Sequence, residues 1–140
     1  VRLILVGEGN RRPIVTKLAQ DLHVDDRVTF TGVATNISEI LTSCDIVVLS
    51  SHWEGFGLAA VEGLASGRPI VASNVDGLKD IVGNAGLFFT PGDEKTLAKN
   101  VLKLISDNKL YNLLSEKALH RAELYDINKT AKKYLAIYES

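Results

Sequence analysis

Five short runs of apolar and β-branched residues, separated by segments with helical spacing, constrain the fold of this chain most strongly. The runs are Leu3–Val6, Arg27–Thr31, Ile46–Leu49, Pro69–Ala72 and Leu87–Phe89. Uninterrupted apolar runs are typical of strands that are buried on both faces of a sheet. Their alternation with helices predicts a parallel sheet with right-handed crossovers. The sequence therefore predicts one doubly wound, Rossmann-like α/β domain over residues 1–140, with helices flanking the sheet and at the C-terminal end.

Seven segments carry helical periodicity or helix-start signals. Asn36 is a candidate N-cap, and Pro91-Gly92-Asp93 begins a longer helix that runs through Leu97 to Ile105. The predicted helices run from about Pro13 to Leu22, Ile37 to Leu41, Leu58 to Ala65, Leu78 to Val82, Asp93 to Ile105, Lys109 to Glu123 and Asn128 to Tyr138.

Charge and composition exclude several classes of function. Lys plus Arg number 16 and Asp plus Glu 17, so the net charge of −1 gives no electrostatic case for nucleic acid or an anionic membrane as main partner. The apolar runs are too short to span a bilayer. The single Cys44 forms no internal disulfide, which favours a reducing, cytoplasmic compartment. The chain has no methionine, even at position 1, and we expect a piece of a longer protein.

Glycine-rich turns follow three of the predicted strands. They are Gly7-Glu8-Gly9, Gly32 and Gly55-Phe56-Gly57. Ligands of doubly wound domains bind beyond the carboxyl ends of the strands, so we expect all three turns on one rim. The first turn lacks the further glycine of a dinucleotide-binding fingerprint, because Arg12 occupies that position.

Two glutamates flank the third turn. Gly55 and Gly57 allow the backbone to approach a ligand closely, and the helix that follows offers free N–H groups and a positive dipole end, which suits a phosphate. The carboxylate of Glu62, about one turn into the helix, can accept hydrogen bonds from a vicinal diol such as that of ribose. Glu54, before the turn, is placed to meet the hydroxyls of the group that the phosphate carries. The alternatives are a loop acid at Glu54 and a solvated helix residue at Glu62.

This stretch resembles the signature of the retaining glycosyltransferases of the GT-B fold, in the glycosyl transferases group 1 family. The signature residues here are Glu54-Gly55-Phe56-Gly57-Leu58, Glu62 and Ala65-Ser66-Gly67-Arg68-Pro69-Ile70-Val71. Further pieces follow in the family's order across essentially the whole chain: Leu5–Gly9, Val28–Gly32, Cys44–Ser51, Pro91–Asp93 and Tyr134–Tyr138. The resemblance implies the C-terminal, donor-binding half of a GT-B enzyme.

The resemblance also implies roles for the glutamates and the turn. Glu62 would bind the ribose hydroxyls of a nucleoside-diphosphate sugar. Backbone N–H groups of Phe56, Gly57 and Leu58, at the turn that Gly55 begins, would meet the distal phosphate and the sugar.

The same resemblance implies the site of chemistry and the base contact. Glu54 would contact the transferred sugar and help to hold its reacting carbon. The loop from Gly32 through Val33 to Ala34 would lie along the nucleobase. The reaction would transfer the sugar to an acceptor hydroxyl with retention, without a metal or a cofactor other than the donor.

Several parts of the family's pattern fall outside this sequence. The donor domain normally begins one strand earlier, with a loop whose Arg and Lys grip the diphosphate, and an acceptor-binding N-terminal domain precedes it. The missing strand would lie between the first and third strands seen here, which predicts a gap, an altered sheet or edges that pair with another copy. We expect the 140-residue chain alone to transfer no sugar and to bind nucleotide weakly. Asp76-Gly77-Leu78-Lys79-Asp80 also departs from the family's Gly-Gly-x-x-Glu.

Three alternative functions remain open at the level of sequence. A sugar-nucleotide epimerase shares the architecture, and a non-catalytic sugar-nucleotide-binding module would use the same site. A signalling receiver is disfavoured, because Glu8 stands alone and Asp45 precedes its strand, so no acidic cluster forms at the strand ends. The parent protein would lie at the inner face of a membrane if its acceptor is a lipid.

Overall fold

The computed structural model describes residues 1–139 as alternating strands and helices. The strands are β1 (Leu3–Val6), β2 (Val28–Gly32), β3 (Val47–Leu49), β4 (Ile70–Ser73) and β5 (Gly86–Phe89). The helices are α1 (Arg12–Asp21), α2 (Ile37–Ser43), α3 (Leu58–Ala65), α4 (Asp76–Val82), α5 (Glu94–Ser106), α6 (Asn108–Ala122) and α7 (Ile127–Tyr138). Every predicted strand and helix is present, and three short 3₁₀ helices that the periodicity does not predict occur at Asp25–Arg27, Gly83–Ala85 and Glu123–Tyr125.

All strand pairs are parallel, as predicted, but they form two separate sheets within residues 1–139. One sheet has the order β1-β2 and the other the order β3-β4-β5. The chain correspondingly divides into two compact units, Val1–Ile37 and the remainder from Ser38. The predicted parallel strands flanked by helices are therefore confirmed, but they form two hydrogen-bonded sheets and not one. An altered sheet is one of the outcomes expected when the family's central strand lies outside the sequence.

The N-terminal unit is a β1–α1–β2 crossover. Leu3 lies opposite Val28, and the register shifts after Leu5. Beyond the strands, the Gly7 amide donates to the Gly32 carbonyl at 2.9 Å, so the first two glycine turns lie side by side at the carboxyl ends. The third turn belongs to the other unit, and its place on the same rim stays a prediction.

Strand β1 was predicted to be buried on both faces, and this prediction is wrong. Three of its four residues are exposed. The physical reason is that β1 has only β2 as a hydrogen-bonded neighbour in the described chain, so its other edge and much of its surface are uncovered.

The C-terminal unit has the predicted helices flanking its sheet. All four residues of its central strand β4 are buried. Ile70 and Ala72 belong to a core cluster that includes residues of α3, α4 and α6. Val71 points into a second cluster with Phe89, Leu104 and Leu114. Because alternate strand residues face opposite sides, β4 is covered on both faces by helices.

The C-terminal helices attach to this unit unequally. Helix α6 is anchored through Leu114 and Ala118, both buried, and the Ser115 hydroxyl donates to the Gly67 carbonyl at 2.5 Å. Helix α7 has no buried residue among those described. Across residues 1–139, each helix is too short or too polar to cross a bilayer.

Candidate functional site

The candidate site is built on the loop between β3 and α3, here called the 50–57 loop. It follows directly on Leu49, the last residue of β3. Ser73, the last residue of β4, is fully buried, and its hydroxyl donates to the Ser51 carbonyl at 2.5 Å. This bond holds the start of the loop against the carboxyl end of the central strand.

Glu54 is half-buried in this loop. The Ser51 hydroxyl donates a long hydrogen bond, 3.4 Å, to Oε2 of Glu54. A carboxylate has two oxygens with about four acceptor positions, so most of its capacity remains for a ligand. Trp53 and His52 beside it are exposed, and the edge of the Trp53 ring lies over Gly55.

Gly57 makes the turn from the loop into α3. Its φ of +80° lies in the left-handed region, where a side chain would be strained. The Gly57 carbonyl accepts the amides of Ala60 and Val61 at 2.8 and 3.3 Å. The amides of Leu58 and Ala59 come before the first amide that donates a helical hydrogen bond, and no side chain caps the helix. Such an N-terminus presents N–H donors and a positive dipole end to an anion.

Glu62 lies in the second turn of α3 with its side chain exposed. Ala60, Gly63 and Leu64 of the same helix are buried against the sheet. The helix therefore directs these three residues inwards and leaves the Glu62 carboxylate accessible. Glu54, the glycine turn and Glu62 belong to one continuous strand–loop–helix element, as the sequence predicts.

Phe56 and Leu58, whose predicted ligand contacts are through the backbone, have exposed side chains. The Phe56 ring makes an edge-to-face contact with Tyr125, with ring centroids 6.1 Å apart and an interplanar angle of 81°. The Tyr125 hydroxyl donates at 3.4 Å to the Asp80 carbonyl. Tyr125 lies in a 3₁₀ helix that sequence periodicity does not detect, so this support for Phe56 was not predicted.

Gly77, in the first turn of α4, is a further residue at this site, and the sequence predicts no packing role for it. A Cβ at this position would lie 2.4 Å from the Glu54 carbonyl oxygen and 2.9 Å from that of Gly55. Only glycine permits this approach of helix and loop. The available signal was the Asp76-Gly77 pair, where the resembled family has Gly-Gly; the helix predicted from about Leu78 did not include it.

Gly32 and Val33 belong to the N-terminal unit. A Cβ on Gly32, whose φ is +69°, would lie 3.0 Å from Oε1 of Glu8, and Val33 is largely exposed. Glu8 forms an ion pair with Arg12, whose guanidinium lies over the Phe30 ring at 5.3 Å from the centroid. Arg12 is thus engaged in anchoring this turn.

Curated relatives match nearly the whole chain but only part of their own length. The N-acetyl-alpha-D-glucosaminyl L-malate synthase of Bacillus anthracis is 31% identical over an alignment of 140 residues. The alignment covers 98% of this chain and 37% of that protein. A Campylobacter jejuni protein, the N,N'-diacetylbacillosaminyl-diphospho-undecaprenol alpha-1,3-N-acetylgalactosaminyltransferase, is 33% identical over 97% of this chain and 36% of its own length. The chain thus spans somewhat more than a third of either relative.

Solved structures support the same fold. The crystal structure of Anabaena HepE in complex with UDP-glucose aligns with a TM-score of 0.84 and 28% identity, over 97% of this chain and 41% of that one. The predicted α/β, GT-B-type architecture is confirmed, and the coverage is consistent with one half of such a protein. The model of the family described as glycosyl transferases group 1 matches residues 1–121, and the chain belongs to that family.

Proposed function

We propose that this chain is the donor-binding part of a retaining glycosyltransferase. The full-length protein would move a sugar from a nucleoside-diphosphate sugar to an acceptor hydroxyl, without a metal. The observation that carries the proposal is the strand–loop–helix element in which Glu54, the Gly55–Gly57 turn and an accessible Glu62 follow one another. Family membership and the UDP-glucose named for the Anabaena structure support it.

The turn provides the diphosphate site in this proposal. Gly57, with its left-handed φ, turns the chain into α3. The amides of Phe56, Gly57 and Leu58 come before the first helical hydrogen bond, so the helix itself offers them no acceptor. Hydrogen-bond donors fixed in advance stabilise the negative charge that develops on a leaving diphosphate at no further cost of reorganisation. The Arg and Lys expected in a segment outside this sequence would add positive charge, and the metal would then be unnecessary.

The two glutamates hold the two sugars of the donor. Glu62 is accessible on a rigid helix and accepts hydrogen bonds from the ribose diol. Glu54 is held by Ser51 through one oxygen and contacts the hydroxyls of the transferred sugar near its reacting carbon. The exposed Val33 and the preceding Gly32 contribute the surface along the nucleobase.

The acceptor site belongs to the N-terminal domain that the family places before this chain. The curated name of the Campylobacter relative includes diphospho-undecaprenol. We propose a cytoplasmic parent protein, located peripherally at the inner membrane face if its own acceptor is such a lipid.

The test is calorimetric titration of the full-length protein with UDP, GDP and ADP and with their sugar conjugates. Replacement of Glu62 by alanine removes hydrogen bonds to a charged group, worth about 1.5–3 kcal/mol, so affinity should fall about 10- to 150-fold. Glu116→Ala, which removes an exposed glutamate from α6, is the matched control. Unchanged affinity in Glu62→Ala would contradict the ribose role.

Two further measurements test the remaining parts of the proposal. The anomeric configuration of the product, determined by NMR, should equal that of the donor, and inversion would refute a retaining mechanism. Activity should persist in the presence of EDTA. The isolated 140-residue chain should show no transfer.

A further inference from the structure

The segment from the end of β4 into α4 touches the 50–57 loop at several points. This segment, Ser73–Leu78, is here called the β4–α4 segment. Its Asp76-Gly77 pair lies where the resembled family has Gly-Gly, and none of its residues is among the predicted donor-binding residues. Its contacts nevertheless converge on Glu54 and on the glycine turn.

Ser73 forms the first contact. It has no exposed surface, and its hydroxyl donates to the Ser51 carbonyl at 2.5 Å. A buried hydroxyl is retained at low cost only where it is hydrogen-bonded, and here the bond crosses from the central strand to the neighbouring loop. Ser51 in turn donates its own hydroxyl to the carboxylate of Glu54. The two serines thus connect β4 to the carboxylate.

Gly77 forms the second contact, from the other side. Its missing side chain leaves space for the backbone carbonyls of Glu54 and Gly55, at 2.4 and 2.9 Å from where a Cβ would lie. The next residue, Leu78, is buried, and its Cδ2 would lie 3.1 Å from a Cβ on Gly57. The first turn of α4 therefore packs along the loop from Glu54 to Gly57.

Glu62 is supported differently. It is carried by α3, which is rooted in the core through its buried neighbours Gly63 and Leu64. A Cβ on Gly63 would lie 3.2 Å from both Ile70 and Val47, so this part of the helix packs on the sheet. The sugar-facing and ribose-facing glutamates therefore depend on separate sets of contacts.

We propose that the β4–α4 segment is the template that sets the position of the Glu54 carboxylate, with Ser51, Ser73 and Gly77 as positioning residues for the sugar-transfer step. The inference rests on the proposed function. It predicts that these residues affect recognition and transfer of the sugar more than affinity for the nucleotide.

The experiment compares variants of the full-length protein by kcat and by the ratio of the Kd for the sugar nucleotide to the Kd for the nucleoside diphosphate. Ser51→Ala should lower kcat about 3- to 10-fold, since it removes one hydrogen bond, and Ser51→Thr should restore it. Gly77→Ala should lower kcat by about 10-fold or more, because small misplacements of reacting groups are costly. Both alanine variants should raise the Kd ratio.

Gly83→Ala is the matched control. It lies at the other end of α4, where a Cβ would fall 2.6 Å from the Arg121 guanidinium carbon, so it strains the same helix away from the loop. Its thermal stability should fall while kcat and the Kd ratio stay at wild-type values. If lost stability alone lowered kcat and raised the Kd ratio, Gly83→Ala would show the same changes as the other variants.

Wild-type kcat and Kd ratio in Ser51→Ala would overturn the inference, as would an equal loss in Gly83→Ala. If Gly77→Ala does not fold, the Ser51→Ala and Ser51→Thr pair decides. Failure of the wild-type protein to bind any nucleoside diphosphate would instead contradict the proposed function, so the two failures are distinguishable.

Discussion

At the scale of single residues, Asp93 begins helix α5 with a side chain that both caps the helix and titrates. Its Oδ1 accepts the Thr96 amide at 3.0 Å. Hydrogen bonds from the Thr96 hydroxyl and then the Thr96 amide lower the pKa of Asp93 below its ordinary value of 3.8. A depressed pKa in the folded state means that the ionised form stabilises the fold above the unfolded-state pKa, and this contribution disappears as the pH falls through the folded-state pKa.

Asp93→Asn tests this contribution, because asparagine is an equally good N-cap that does not titrate. The urea midpoint of the wild-type chain should exceed that of the variant at about pH 7, and the two midpoints should converge as the pH falls below the ordinary carboxyl pKa of 3.8. Asp126, which caps α7 and also has a lowered pKa, is present in both proteins and cancels. A difference that is constant across this range, or that grows in acid, would contradict the assignment.

At the scale of elements, α6 joins the two core clusters of the C-terminal unit. Leu114 is 4% exposed and packs with Val71, Phe89 and Leu104, whereas its neighbour Leu113 is 47% exposed. Leu114→Ala should therefore destabilise the chain by about 2–5 kcal/mol through lost burial and a cavity. Leu113→Ala is the control and should cost less than about 1 kcal/mol. Equal effects in urea denaturation would show that α6 is not anchored in this way.

The elements that were predicted correctly are those whose pattern is local. The run Leu3–Val6 and the helix Leu58–Ala65 agree with the structure to the residue, because apolar continuity and helical spacing are contained within the segment. The Glu54-to-Glu62 element was likewise predictable, since the glycines and glutamates follow one another along the chain. Local pattern was sufficient there.

What the sequence did not reveal depends on partners distant along the chain. The exposure of β1 follows from its having one neighbouring strand, and a strand's own residues do not specify their neighbours. Position 77 needs a glycine because backbone carbonyls more than twenty residues earlier lie against it. The Tyr125 ring, which follows α6, contacts the Phe56 ring. These contacts arise from tertiary packing, which periodicity does not contain.

At the scale of the whole molecule, the core is divided unequally between the two units. Among the described residues, the buried hydrophobic side chains lie in the C-terminal unit, with Ala19 the exception. The N-terminal unit has a two-stranded sheet, and two strands without further cover are marginally stable in water. Regions with few buried apolar contacts open locally at lower free energy than the core.

Native-state hydrogen exchange of this chain should therefore separate the two sheets. We expect the amides of β1 and β2 to exchange at least about tenfold faster than those of β4, the central, fully buried strand. The edge strands β3 and β5 are the internal control, because they share their sheet with β4 and should retain greater protection than β1 and β2. In the full-length protein, the strand expected beside β1 should raise the protection of β1. Equal protection of β2 and β4 in the isolated chain would contradict the unequal division of the core, because local opening of the N-terminal unit would then cost as much as opening the C-terminal one.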